Sequence, residues 1–246
     1  MKRYLILASI LLFGAGPVAA SRTPEDWFEM GAVGRLTFED PDGTRRLCTG
    51  FVAHKFEKTY ALSRYGFTGS TIVADAYYVF TAGHCAKDNK RFEFAPADSR
   101  QTRWFGLNVV AMVVGGPGYD FAVLEAVESP YTTKKYPTLD LDFGYEARLG
   151  DKVLAVGYGR KALYPRVNTV LGVGEDGQIV IDGYASQGNS GGPVILLETG
   201  KVIGLMTHTT IDVRVSPTMC DLVGCGVKPP YYATPIARLK GTVKMP

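Results

Sequence analysis

At 246 residues, with 46% hydrophobic and 21% charged side chains, the chain can bury one large core or two small ones. Its 27 Lys+Arg against 24 Asp+Glu give a formal charge of +3, and setting Lys2 and Arg3 aside leaves 25 against 24, a balance of +1. A chain so nearly neutral is not expected to take nucleic acid as its partner.

Met1 to Ala20 read as a signal peptide, because Lys2 and Arg3 precede an apolar run from Tyr4 to Phe13 and Val18-Ala19-Ala20 resembles a small-residue cleavage site. The run is too short to span a bilayer; an uncleaved N-terminal anchor is the bland alternative. The mature chain is therefore expected to start near Ser21 and to be secreted or periplasmic, with no stable membrane association. That compartment bears on Cys48, Cys85, Cys220 and Cys225, an even set of cysteines bound for an oxidising environment. Three pairings are possible. Cys48 with Cys85 and Cys220 with Cys225 is favoured, since both close loops local to one half of the chain.

From Ala32 onward, short apolar runs are cut by turn residues. The predicted strands are Val33 to Phe38, Leu47 to Ala53, Tyr77 to Thr81, Arg91 to Phe94, Val109 to Val114, Phe121 to Leu124, Lys152 to Val156, Ile179 to Ile181, Pro193 to Leu197 and Val202 to Met206. Most are β-branched or aromatic and none holds a helical period for long, so the chain is predicted to be all-β. His54 to Ala76 is long for a hairpin and is expected to add a small ribbon or surface loop, with His54 at the surface. The polar, Gly-marked stretch Asp140 to Asp151 is expected to divide the chain into halves at about 30–140 and about 141–233. A short C-terminal helix is predicted over about 234–241, with Thr234 as a cap, Pro235 in the first turn and Gly241 after the end.

Two segments carry chemistry. Gly188-Asn189-Ser190-Gly191-Gly192-Pro193 supplies a serine among glycines, and Thr81-Ala82-Gly83-His84-Cys85 supplies an imidazole. A serine hydroxyl is a poor nucleophile at neutral pH, so it needs a base to take its proton and donors to hold the resulting oxyanion. Glycines allow the backbone to turn sharply and bring the Gly188 and Ser190 N–H groups to one point. A carboxylate must also hold the imidazole. Asp120 is the candidate, delivered by the turn Gly115-Gly116-Pro117-Gly118-Tyr119 into the apolar Phe121 to Leu124. Its bland reading is a turn aspartate that caps its own backbone.

These three segments, in the order His84, Asp120, Ser190, resemble the trypsin/chymotrypsin-like serine peptidases, which use that order. The resemblance implies two six-stranded antiparallel β-barrels with the triad in the cleft between them, and a disulfide, Cys48–Cys85, beside the catalytic histidine. It implies protein or peptide substrates for a peptidase expected to be monomeric, with no cofactor and no metal. Gly-Asn-Ser-Gly-Gly also fits the G-x-S-x-G elbow of α/β-hydrolases, but that fold places its acid and histidine after the serine. Only His208 follows Ser190.

The departures from the resemblance are informative. Asn189 stands where digestive trypsin-like enzymes have Asp, and no basic residue followed by Ile-Val-Gly-Gly lies near Ser21 to Gly34. Both halves of that activation switch are missing, so signal removal alone is expected to suffice, as in glutamyl-endopeptidase-like and HtrA-like members that also carry Gly-Asn-Ser-Gly. Tyr184, with Ala185 after it, occupies the base of the primary pocket where trypsin-like enzymes have Asp, so cleavage after Lys or Arg is not expected. Thr207, His208 and Thr209 align with the strand that walls the pocket. Thr209 stands where an open pocket has Gly, which favours a small or medium uncharged residue before the scissile bond; a His208 that recognises Glu or Gln is the alternative. Cys220 and Cys225 are expected to close a small disulfide loop rather than hold a metal. The leading function is a serine endopeptidase. Its rivals are a catalytically silent or very selective binding protein on the same fold, and an esterase.

Overall fold

The computed structural model describes residues 31–61, 71–87, 92–97, 105–114, 118–127, 137–159, 162–183, 185–209 and 230–242. The signal segment Met1 to Ala20, Tyr184, Cys220 and Cys225 lie outside them, as do the side chains of His208 and Thr209.

The apolar runs form two sheets of six antiparallel strands. The first contains β1 (Val33–Glu39), β2 (Arg45–Ala61), β3 (Thr71–Thr81), β4 (Phe92–Pro96), β5 (Phe105–Val114) and β6 (Asp120–Val127); the second contains β7 (Lys152–Gly159), β8 (Ala162–Val173), β9 (Ile179–Ile181), β10 (Pro193–Leu196), β11 (Val202–Thr209) and β12 (Tyr231–Pro235). The pairing runs β1-β2-β3-β6-β5-β4 and β10-β11-β12-β9-β8-β7, and each ring closes on itself. Closure removes the open edges that a free sheet would present.

Two of these strands, β8 and β12, have no counterpart among the predicted ones. In β8 only Val170 is buried among the described side chains, and Val167, Leu171 and Val173 face solvent, so its hydrophobic pattern is that of a surface. β12 takes Thr234 and Pro235, which the sequence assigns to a helix. Thr234 pairs with Leu205 and Pro235 with Gly204, and the chain then makes a single 3-10 turn, Ile236–Leu239. The C-terminal helix is therefore corrected to that turn. The strand pairing claims the two residues needed to start an α-helix, and Gly241, at φ 81°, follows the end of that turn. The His54 to Ala76 stretch does form a ribbon: β2 and β3 stay paired out to Ala61 and Thr71, past a bulge between Val52 and His54.

Two cores result. The larger fills the first barrel with Leu36, Phe51, Phe80, Phe92, Phe94, Phe121 and Leu124, and continues across to Leu154, Val156, Ile195, Leu205, Ile236 and Leu239 of the second half. Each such side chain contributes roughly 1.5–3 kcal/mol on burial. The second lies inside the other barrel, around Val153, Val170, Ile179, Ile181, Val194, Ile203, Met206 and Tyr231. The segment between them is stitched to both barrels by its backbone. Leu139 N–H donates to Val52 C=O at 2.8 Å, Asp142 N–H to Val202 C=O at 2.9 Å, and Val202 N–H to Asp140 C=O at 2.8 Å.

Tyr231 sits in the second core with its hydroxyl 3.3 Å from Asn168 Oδ1. Burial pushes the phenols of Tyr231 and Tyr158 above their ordinary value. Above about pH 10 the unfolded chain releases these protons while the folded chain keeps them. The stability present below that pH is therefore lost as pH rises. Urea-unfolding midpoints are expected to fall between about pH 9 and 11, and less steeply in Tyr231→Phe, which has no phenol to ionise at that position.

Candidate functional site

The three candidate residues come from three elements that converge where the barrels meet. His84 lies in the one-turn helix Gly83–Ala86, directly after β3. Asp120 is the first residue of β6, paired with Val114. Ser190 sits in the loop before β10.

Asp120 grips His84 at two points. Its Oδ1 accepts the His84 backbone N–H at 2.7 Å and its Oδ2 lies 2.6 Å from His84 Nδ1. The first bond fixes the carboxylate and the second fixes the ring. With Nδ1–H donated to a carboxylate, Nε2 is the nitrogen left with a lone pair. The aspartate side chain is only 20% exposed while the imidazole is 45% exposed, so the acid is shielded and the ring opens to solvent. The turn that presents Asp120 is held from the second half of the chain. The Arg238 guanidinium lies 4.6 Å from the centre of the Tyr119 ring and donates to the Asp176 carbonyl at 2.6 Å.

The serine loop is packed against Thr49 of β2 and against Thr81 and Ala82, just before His84. Gly188 has φ 98° and Gly191 φ 85°, backbone that side chains rarely adopt. A Cβ on Gly191 would fall 2.3 Å from the Thr49 carbonyl oxygen and 2.7 Å from Ala82 N, so the loop can approach the histidine's strand this closely only with glycine there. Gly191 N–H donates to Met206 C=O at 2.7 Å and Thr49 N–H donates to Ser190 C=O at 2.8 Å. Ser190 Oγ donates to the Thr207 carbonyl at 3.1 Å. Asn189 packs against the backbone of β7, where a Cβ on Gly157 would lie 2.9 Å from it.

Cys48 and Cys85 are joined as a disulfide across a separation of 37 residues, and both are buried. The ligand atoms of Cys48, His84 and Cys85 lie within 4.8 Å of one another, yet neither sulfur is a thiolate, so the group is not a metal site.

The pocket residues are placed only in part. Ala185 is buried in the core of the second barrel. Thr207 lies on β11, almost fully buried, and its hydroxyl donates to the Tyr232 carbonyl at 3.1 Å. His208 and Thr209 continue β11, their backbones paired with Tyr232 and Tyr231 beyond a bulge after Met206. His54 is not the surface residue that the sequence suggests. It is half-buried and packs beside Phe56 and Tyr78, with ring centres 6.1 and 5.9 Å away, because the bulge in β2 turns it onto the aromatic face of the ribbon.

Sequence reading alone misses Thr49, Thr81 and Arg238. Thr49 and Thr81 are fully buried, and their hydroxyls bond across the strands rather than to water. A polar residue inside the apolar run Leu47 to Ala53 is the one signal available for Thr49.

A family model described as a trypsin-like peptidase domain matches residues 67–205, more than half of the chain. The chain belongs to that family. No curated protein sequence matches this one significantly. Among solved structures, this trypsin-like peptidase domain is similar to a serine endoprotease from Yersinia pestis, at 17% identity and a TM-score of 0.59, over 86% of this chain and 61% of that one. It is similar to the active form of the Rv3671c protease from M. tuberculosis, at 18% identity and a TM-score of 0.59, over 98% of this chain and 92% of that one. It is also similar to the HtrA-type protease AlgW with tripeptide, at 18% identity and a TM-score of 0.58, over 84% of this chain and 57% of that one. The chain thus spans about three fifths of the Yersinia and AlgW chains. At identities this low, the structural likeness establishes the shared fold alone.

Replacing both Cys48 and Cys85 by Ala is expected to lower the unfolding free energy by about 4 kcal/mol, the loop-closure entropy of a ring this size. Urea unfolding of the double variant beside the wild type measures it, and equal midpoints would refute it.

Proposed function

We propose that the chain is an exported serine endopeptidase in which His84, Asp120 and Ser190 form the catalytic triad. The observation that carries this reading is the two-point bond between Asp120 and His84, set in a trypsin-like peptidase domain whose serine loop packs against Thr49, Thr81 and Ala82, just before His84. The hydroxyl now bonded to the Thr207 carbonyl turns to His84 when substrate enters, a tightening common to resting sites of this kind. Ser190 Oγ attacks the peptide carbonyl and His84 Nε2 takes its proton. The Gly188 and Ser190 N–H groups hold the oxyanion. As the tetrahedral adduct collapses, the C–N bond breaks and His84 returns the proton to the leaving amine. Water, deprotonated by the same imidazole, then hydrolyses the acyl-enzyme. Asp120 keeps the ring in the tautomer these steps need and stabilises it when charged.

Substrates are peptides or proteins, as the family implies. Tyr184 and Thr209, with Ala185, Thr207 and His208, shape the primary pocket for a small or medium uncharged residue. Export is supported by the charged and apolar segments of Met1 to Ala20 and by the Cys48–Cys85 disulfide, which persists in an oxidising compartment. Among the described residues no helix is long and apolar enough to cross a membrane.

Incubating the purified chain, lacking residues 1–20, with a diverse peptide library and reading the cut sites by mass spectrometry tests the reading. Cuts are expected after small or medium uncharged residues, and Ser190→Ala is expected to reduce kcat by at least about 10⁴-fold. Cuts after Glu or Gln would move recognition to His208. A wild type no better than Ser190→Ala would replace the peptidase with a binding protein, and turnover of esters alone would make it an esterase.

A further inference from the structure

The proposed oxyanion donors sit in a loop whose internal bonds, Asn189 N–H to Ser186 C=O at 3.0 Å and Gly192 N–H to Asn189 C=O at 2.9 Å, leave the Gly188 and Ser190 carbonyls to partners outside it. Gly188 has no side chain, and at φ 98° it lies in a region where neighbouring orientations of the peptide plane are open to glycine. At Gly188 that orientation is selected by a partner outside the loop.

We infer that Thr49 is the positioning residue for the oxyanion loop, and that its buried hydroxyl, acting on Gly188, is required for the rate of the chemical step. This rests on the peptidase reading above. Thr49 Oγ1 donates to the Gly188 carbonyl at 2.7 Å and accepts the Tyr158 N–H at 2.8 Å. The second bond orients the first, because an oxygen that accepts a hydrogen bond from the Tyr158 N–H must aim its own hydrogen elsewhere, and the Gly188 carbonyl is the acceptor within reach. The Thr49 backbone N–H holds the Ser190 carbonyl at 2.8 Å. One residue thus pins the carbonyls at both ends of Gly188-Asn189-Ser190, the tripeptide that carries the two donors. These carbonyls lie in the peptide planes of Asn189 N–H and Gly191 N–H, on either side of the plane that carries Ser190 N–H, and the first adjoins the plane of Gly188 N–H, so a swing of either donor strains a buried hydrogen bond to Thr49.

Water cannot replace these bonds without entering the interior, since Thr49 is fully buried. The same residue also reaches the base. Its carbonyl accepts the Thr81 hydroxyl at 2.8 Å, three residues before His84, and Gly191 packs against both threonines. Thr49 therefore registers the serine loop of the second barrel against the histidine strand of the first and against β7. A group that only held the barrels together would affect stability; one that aims the donors affects the transition state more than substrate binding.

The Thr49→Ala and Thr49→Ser variants differ only by the hydroxyl, and Thr49→Val is a second hydroxyl-free variant that keeps the β-branched shape. Thr49→Ala is expected to lower kcat about 10-fold or more, short of the roughly 10²–10³-fold loss that accompanies removal of an oxyanion donor itself. KM is expected to stay within about 3-fold, and the inhibition constant of a peptide aldehyde, whose hemiacetal oxygen occupies the same hole, to rise by the factor lost in kcat/KM. Thr49→Ser is expected to recover activity to within about 3-fold of wild type. Equal activity of Ala and wild type, equal impairment of Ser and Ala, or a loss confined to KM would overturn the inference. Unfolding of both Ala and Val variants where Ser folds would also overturn it, in favour of a purely structural role. A wild type that cuts no better than Ser190→Ala would instead overturn the peptidase reading itself, and this inference with it.

Discussion

Every buried peptide group needs a partner, and the serine loop meets much of that requirement through other elements. Ser190 C=O is satisfied by Thr49 of the first barrel, Gly188 C=O by the Thr49 hydroxyl, and Gly191 N–H by Met206 of β11. The loop is therefore shaped by the surfaces it bonds to. Because those surfaces belong to different barrels, the packing of one barrel on the other and the shape of the loop are a single constraint. The larger core shows the same economy: it belongs to the first barrel but continues into Leu154, Ile195 and Leu205 of the second. Neither half could shift without exposing apolar surface and breaking buried hydrogen bonds together, and the second loss has no compensation from solvent.

How much of this is legible in the sequence depends on whether a feature is local. Each of the ten predicted strands coincides with an observed one, because a half-buried strand writes its alternation into its own residues. β8 leaves no such mark, since Val167, Leu171 and Val173 face outward and Pro165 interrupts the run. At β12 two local signals compete: Thr234 and Pro235 are good first-turn residues for a helix, but their pairing with Leu205 and Gly204 comes from residues far away in sequence. Tertiary pairing overrides propensity there. His84, Asp120 and Ser190 are visible because each stands in a motif. Thr49 and Arg238 are not, because their roles exist only across the fold.

The same contrast explains how 17–18% identity coexists with one architecture. Closed sheets require alternation, turns and matching strand number, which many sequences satisfy. The choice narrows at the handful of places where backbone approaches backbone, as Gly191 does against Thr49 and Ala82, or where a buried polar group has one partner available.

Between Leu139 and Asp142, backbone bonds tie Val52 of one barrel and Val202 of the other to the same short segment, which braces the two barrels against each other. A cleft that does not open widely accepts only a chain that can thread into it. For the proposed peptidase, a folded protein would become a substrate only as fast as one of its own segments peels away, and the rate of cutting would track the free energy of that local opening. Selection among targets would then depend on how firmly each one holds its loops, as well as on which side chains those loops carry.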